Sequence, residues 1–109
     1  MAVLFTNNTD TQMKNLGFIR VAAAVPCVRI ADTGFNTEEI CRSAEEAFAK
    51  EASLVVFPEL SVTGYSCGDL ISQNMIIDSA EKGIRKILEF SRGKAMTMVV
   101  GAPVPYRSR

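Results

Sequence analysis

Three short runs of almost unbroken apolar residues, each stopped by a proline, constrain this chain more than any other feature. They are residues 19–25 (IRVAAAV, before Pro26), 54–57 (LVVF, before Pro58) and 96–102 (MTMVVGA, before Pro103). Runs this brief and this rich in Val and Ala suit strands buried on both faces of a parallel sheet. Each proline lacks an N–H for the ladder and holds the residue before it extended, so it ends the strand. Between the runs the period changes to that of a helix. Asp32-Thr33-Gly34 reads as a turn, and Asn36 as an N-cap with Glu38 and Glu39 in the first turn. Ile40, Ala44, Ala47 and Phe48 then recur at helical spacing, which predicts an amphipathic helix over residues 37–51. A second helix carries Met75, Ile76, Ala80, Ile84, Ile87 and Leu88 on one side, with Gly93 as its C-cap. Its other side bears Asp78, Glu81, Lys82, Arg85, Lys86 and Glu89. Strand, helix, strand, helix, strand is an α/β alternation with right-handed crossovers.

Such a unit is expected to be unfinished. Two helices cover one face of a sheet whose strands are apolar along nearly their whole length. Residues 17–109 therefore read as the front part of a larger α/β domain. Residues 1–16 are polar and without periodicity, and are expected to form a flexible extension. Met13 opens MKNLGFIRVAAAVP and offers a second candidate start.

Composition removes several classes of function. Twelve Lys and Arg against twelve Asp and Glu leave a net charge of zero, so there is no basic excess to neutralise nucleic-acid phosphates. With 48% hydrophobic and 22% charged residues, the chain has the balance of a folded protein. No apolar run approaches the roughly 18 residues of a membrane span. The complete lack of His excludes Ser-His and Cys-His nucleophile pairs and strips any zinc site of its imidazoles. Three cysteines, at 27, 41 and 67, form neither a CxxC pair nor an even disulfide framework. With no secretory leader in the first residues, a cytoplasmic location is expected.

Glu59 is the first candidate for chemistry. It follows the second apolar run directly, and open α/β sheets put functional groups beyond the carboxyl ends of their strands. Flanked by Phe57-Pro58 and Leu60, its carboxylate is expected to be partly desolvated, the setting of a general base. On position alone it could equally cap the following turn or pair with a surface Lys or Arg. Of the cysteines, Cys41 falls beside the apolar helix stripe as a filler, and Cys27 has no basic neighbour in sequence. Cys67 lies on the loop after Glu59, but its charged neighbour is Asp69, the wrong sign for activating a thiol. Neither GxGxxG nor GxxxxGK[ST] occurs, so no dinucleotide or phosphate-loop fingerprint is present.

Residues 54–70, LVVFPELSVTGYSCGDL, carry a resemblance. An apolar strand running into FPEL and then TGY resembles the first signature of the nitrilase superfamily of carbon–nitrogen hydrolases. Within it, GYSCGDL, GFIRVAAAVP (residues 17–26) and VVGAPV (residues 99–104) are most similar to the N-terminal glutaminase domains of glutamine-dependent NAD synthases. The resemblance covers residues 17–109, about the first third of such a domain.

It implies an α-β-β-α sandwich, of which this chain would be the opening β-α-β-α-β part, with a second sheet covering the first. Family chemistry uses a Glu, a Lys and a Cys. Glu59 falls on the Glu, the base that activates the cysteine thiol and then a hydrolytic water. Tyr65 falls on a Tyr at the glutamine pocket, against the alternative of a packing aromatic in the turn. The Lys and the Cys come later than residue 102 in the family; Lys94 and Cys67 do not occupy their places. The 109 residues alone are therefore expected to be inactive and poorly stable. For the intact protein the resemblance implies glutamine as substrate, a C-terminal synthetase domain and homo-oligomeric assembly. ATP and magnesium are implied only for that synthetase domain, and no cofactor site is placed in this portion. The alternatives are a stand-alone amidase acting on a small amide or carbamoyl compound, and a non-catalytic α/β binding module.

Overall fold

The computed structural model of the chain describes residues 17–64 and 74–104. Within them the order is β1 (Val21–Ala23), α1 (Thr33–Ala49), β2 (Leu54–Val56), α2 (Asn74–Ser91) and β3 (Thr97–Val99). The strands are parallel in the order β1-β2-β3, with Ala22 level with Val55 and Val55 level with Met98. The α/β alternation and the three strand positions match the sequence reading. The regular ladder is shorter than the apolar runs, but further backbone bonds extend the pairing: Ala24 N–H donates to Val56 O at 3.0 Å and Phe57 N–H to Val99 O at 2.9 Å.

Both helices pack on one face of the sheet. Ala22, Ala24, Val55 and Phe57 meet Ile40, Ala44, Ala47, Ala80 and Ile87 in a single core. Alanine predominates where helix and sheet touch, so the backbones approach closely while little apolar area is buried per residue. The other face is uncovered. Val21, Val56 and Val99 are 44%, 40% and 47% exposed. The strands thus show the alternation of a half-covered sheet rather than burial on both faces, because neither helix reaches the second face.

The first helix corrects the sequence reading. It begins at Thr33, four residues before the expected start, and its N-cap is Asp32, whose carboxylate accepts from Phe35 N–H at 3.0 Å. Asn36 lies inside the helix with its side chain buried and directed to tertiary partners. Asp32 and Asn36 offer the same capping chemistry, and that tertiary demand separates them. The helix ends at Ala49, two residues before the expected limit. Glu51 takes a left-handed φ of 63° there, with Glu51 N–H donating to Phe48 O and Ala52 N–H to Ala47 O. This is the Schellman pattern that satisfies terminal carbonyls, here with Glu where glycine is usual.

The second helix follows its expected stripe through Ala80 and Ile87, and Gly93 adopts φ 77° just beyond its end. Met75 and Leu88, expected on the apolar side, are 77% and 61% exposed. Leu88 instead borders an open cavity between this helix and β3. Among the described residues, no helix is long and apolar enough to cross a membrane.

Candidate active site

Glu59 stands just past the carboxyl end of β2, the central strand, as the sequence reading places it. Its side chain is exposed, however, so the expected partial desolvation by Phe57, Pro58 and Leu60 is not observed. The backbone explains the difference. Leu60 has a left-handed φ of 58°, which turns the chain sharply and leaves Glu59 on the outside of the bend. Phe57 is buried against the helices, while Pro58 and Leu60 are only partly buried themselves. Among the described residues, Glu59 has no hydrogen bond or ion pair that would hold its carboxylate.

The turn itself is firmly held. Thr63 N–H and Gly64 N–H both donate to Leu60 O, at 3.2 and 2.7 Å. Val62 N–H donates to Gly101 O at 3.2 Å, tying the turn to the segment after β3. Ala31 N–H donates to Thr63 O at 2.8 Å, tying it to the loop after β1. Ser61, Val62 and Thr63 are buried beneath this network. Gly64 has φ 90°, and a Cβ there would lie 3.4 Å from Ile30 Cα, so both its conformation and its close approach favour glycine.

Asn36 links these loops from inside α1. Its Oδ1 accepts from Arg29 N–H at 2.7 Å, and its Nδ2 donates to Arg29 O at 2.7 Å and Val62 O at 2.9 Å. Sequence reading took Asn36 for a helix cap and missed this role. The only available signal was a second capping residue four positions after Asp32.

Beside the turn, Val25, Pro26, Val28, Pro58, Leu60, Ser61 and Gly64 line an apolar cavity of about 240 Å³. A larger cavity of about 430 Å³ lies between α2 and β3, lined from Ile84, Leu88 and Met96 to Ala102 and Val104, and none of its lining residues is ionisable. Without an ionisable group the larger cavity offers no acid or base, so volume does not place the site. Tyr65 and Cys67 lie outside the described residues. Cys27 is exposed, whereas Cys41 is partly buried and packs against the core. Burial pushes the Cys41 thiol pKa up, and Glu38 adds to the effect while Lys94 and Lys86 oppose it. That is the environment of a packing residue, as expected, rather than of a nucleophile. Among the described residues, no group of three or more His, Cys, Asp or Glu could hold a metal ion.

The carbon-nitrogen hydrolase family profile matches residues 20–107, from the first strand to beyond the third. The chain belongs to the carbon-nitrogen hydrolase family. A relative in Mycobacterium leprae, a glutamine-dependent NAD(+) synthetase, is 33% identical over 93 residues, which are 85% of this chain and 14% of the relative. Glutamine-dependent NAD(+) synthetases of Mycobacterium tuberculosis H37Rv and Aquifex aeolicus are 34% and 30% identical, over 85% and 68% of this chain and 14% and 13% of their own lengths. The chain thus spans about one seventh of the curated relatives it matches. As a carbon-nitrogen hydrolase segment it contributes the parallel strands, the two helices behind them and the turn bearing Glu59.

Proposed function

We propose that this segment opens the glutaminase domain of a glutamine-dependent NAD synthase, with residues 1–16 as an extension and residues 17–109 as the start of that domain. The observation that carries the reading is the placement of Glu59. It is a carboxylate within the FPEL stretch, beyond the central strand of a parallel sheet, in a turn braced on three sides. The family match and the shared relatives support it.

In this reading Glu59 is the general base. It takes the proton of a cysteine thiol supplied by later residues, and the sulfur attacks the side-chain amide carbon of glutamine. The amide leaves as ammonia, a thioester remains, and Glu59 then activates the water that hydrolyses it. A lysine, also from later residues, stabilises the tetrahedral oxyanion. Tyr65 borders the glutamine pocket. Ammonia passes to an ATP-dependent synthetase domain that amidates deamido-NAD, and ATP and magnesium belong to that domain. An exposed Glu59 suits this arrangement, since the groups it must reach come from elsewhere in the protein.

The test is to read the coding DNA beyond the codon for Arg109, express the complete gene product and measure glutamine hydrolysis together with NAD formation. Glutamine-fed NAD formation that is lost in Glu59→Gln is the expected result. Amide hydrolysis without any synthetase activity would replace this reading with the stand-alone amidase. A gene product that ends at Arg109 and hydrolyses nothing would overturn both.

A further inference from the structure

Because no described residue holds the carboxylate of Glu59 directly, its aim depends on the backbone of its turn. That backbone is in a conformation it would not keep unaided. Leu60 sits at φ 58°, a region that non-glycine residues enter only when the surroundings over-determine them. Two residues on, the Val62 peptide groups are gripped from both sides. Its N–H bonds to Gly101 O, and its carbonyl accepts from Asn36 Nδ2. Asn36 is 0% exposed and spends both of its amide hydrogens on loop carbonyls, one after β1 and one after β2. It also stands in the first turn of a helix of 17 residues, which gives the grip a rigid base.

We propose that Asn36 is a positioning residue for Glu59: its donation to Val62 O locks the left-handed Leu60 bend and thereby holds the base where the reacting thiol must meet it. The inference rests on the reading of Glu59 as general base, and deepens it by naming the residue that sets its orientation. Asn36 touches neither substrate nor the reacting atoms. Of the two carbonyls it reaches, Arg29 O also accepts from Asp32 N–H, whereas Val62 O is buried, and a buried carbonyl that loses its donor would pull the loop open towards water.

The experiment uses the complete natural gene product carrying Asn36→Asp. This substitution keeps size and the acceptor for Arg29 N–H but removes both donations. The expected result is a fall in kcat for glutamine hydrolysis of about 10²-fold, the penalty of a displaced catalytic group, with KM for glutamine within about twofold. Amidation fed with free ammonia should be unchanged, since it bypasses this site. Amide hydrogen exchange at Val62 and Gly64 should accelerate about tenfold, the loss of one hydrogen bond. Leu60→Gly is the second variant. Glycine takes the left-handed conformation without strain, so the bend no longer depends on the lock. Leu60→Gly alone should keep kcat and KM. In its background Asn36→Asp should cost much less kcat than in the unsubstituted protein, a rescue that a merely structural role for Asn36 would not produce. An unchanged kcat in folded Asn36→Asp, or a change in KM alone, would overturn the proposal. If Asn36→Asp does not fold, Asn36→Ala, which removes both donations without burying a charge, takes its place, and an unchanged kcat there overturns the proposal. Should the unsubstituted protein not hydrolyse glutamine, the functional reading fails by itself; unchanged exchange at Val62 and Gly64 would then show that Asn36 does not hold the turn either.

Discussion

Gly101 lies so close beneath Glu59 that a Cβ placed on it would stand 2.8 Å from Glu59 Cα, and nearer still to Leu60 N. The obstruction is backbone, which cannot rotate away as the end of a side chain can. Gly101 also accepts from Val62 N–H, so one residue both supports the turn and limits its distance from the segment after β3. Gly101→Ala must lift the turn or push the two segments apart. The expected outcome is a loss of stability of about 1–3 kcal/mol from overpacking. In the complete enzyme, hydrolysis of glutamine should also fall by about 10²-fold through misplacement of the base. Thermal unfolding and kcat measured on the same preparation check both.

Glu59→Gln should behave in the opposite way. The side chain is exposed and holds no described partner, so its replacement should leave stability within about 0.5 kcal/mol. Loss of a general base lowers kcat by roughly 10²–10⁴-fold. An unchanged melting temperature with abolished glutamine hydrolysis is the expected pair of results. A large drop in melting temperature would mean that Glu59 serves the fold instead.

The contrast between these two residues shows what was legible in the sequence. Proline-stopped apolar runs located all three strands, because a proline ends a ladder whatever its surroundings. FPEL put Glu59 beyond the central strand for the same reason. What local pattern could not show was decided by partners distant in the chain. Asn36 is drawn into the helix by Val62, 26 positions later, although its capping propensity alone marks it as a helix start. The left-handed Leu60 is imposed by bonds from Val62, Thr63 and Gly64, and nothing in a leucine signals it. The exposure of Glu59 follows from that bend, and so escaped a reading based on its apolar neighbours.

Cys41 offers a pH test. Its thiol is held above the usual range chiefly by burial, so the thiolate is scarce near neutrality. Alkylation by iodoacetamide should reach the exposed Cys27 well before Cys41, as mass spectrometry of the two peptides would report. Linkage has a definite sign here. A thiol whose pKa is raised on folding keeps more protons in the native state, so its contribution is constant below the ordinary thiol range and declines as pH climbs above it. Cys41→Ser, which removes the titrating group, should flatten the alkaline side of the stability profile. An equally steep alkaline loss in that variant would assign the effect to other groups.

The uncovered sheet face gives the sharpest test of how this segment is used. Val56 and Val99 lie level on neighbouring strands, and Val21 lies two residues out of register on the same face; each is at least 40% exposed, on the side opposite both helices. An apolar strip of this kind marks a surface meant for contact or liable to aggregate. For the 109 residues alone, Val56→Lys should change stability by no more than about 0.5 kcal/mol, because position 56 already meets water. It should also reduce self-association in sedimentation and lower the binding of an apolar dye. In the complete protein, where a second sheet is expected over this face, the same substitution would bury a charge without a partner and cost about 3 kcal/mol or more. A small effect in both contexts would mean that the face stays open to solvent. A large effect in the short chain would mean that copies of this segment already cover it for one another.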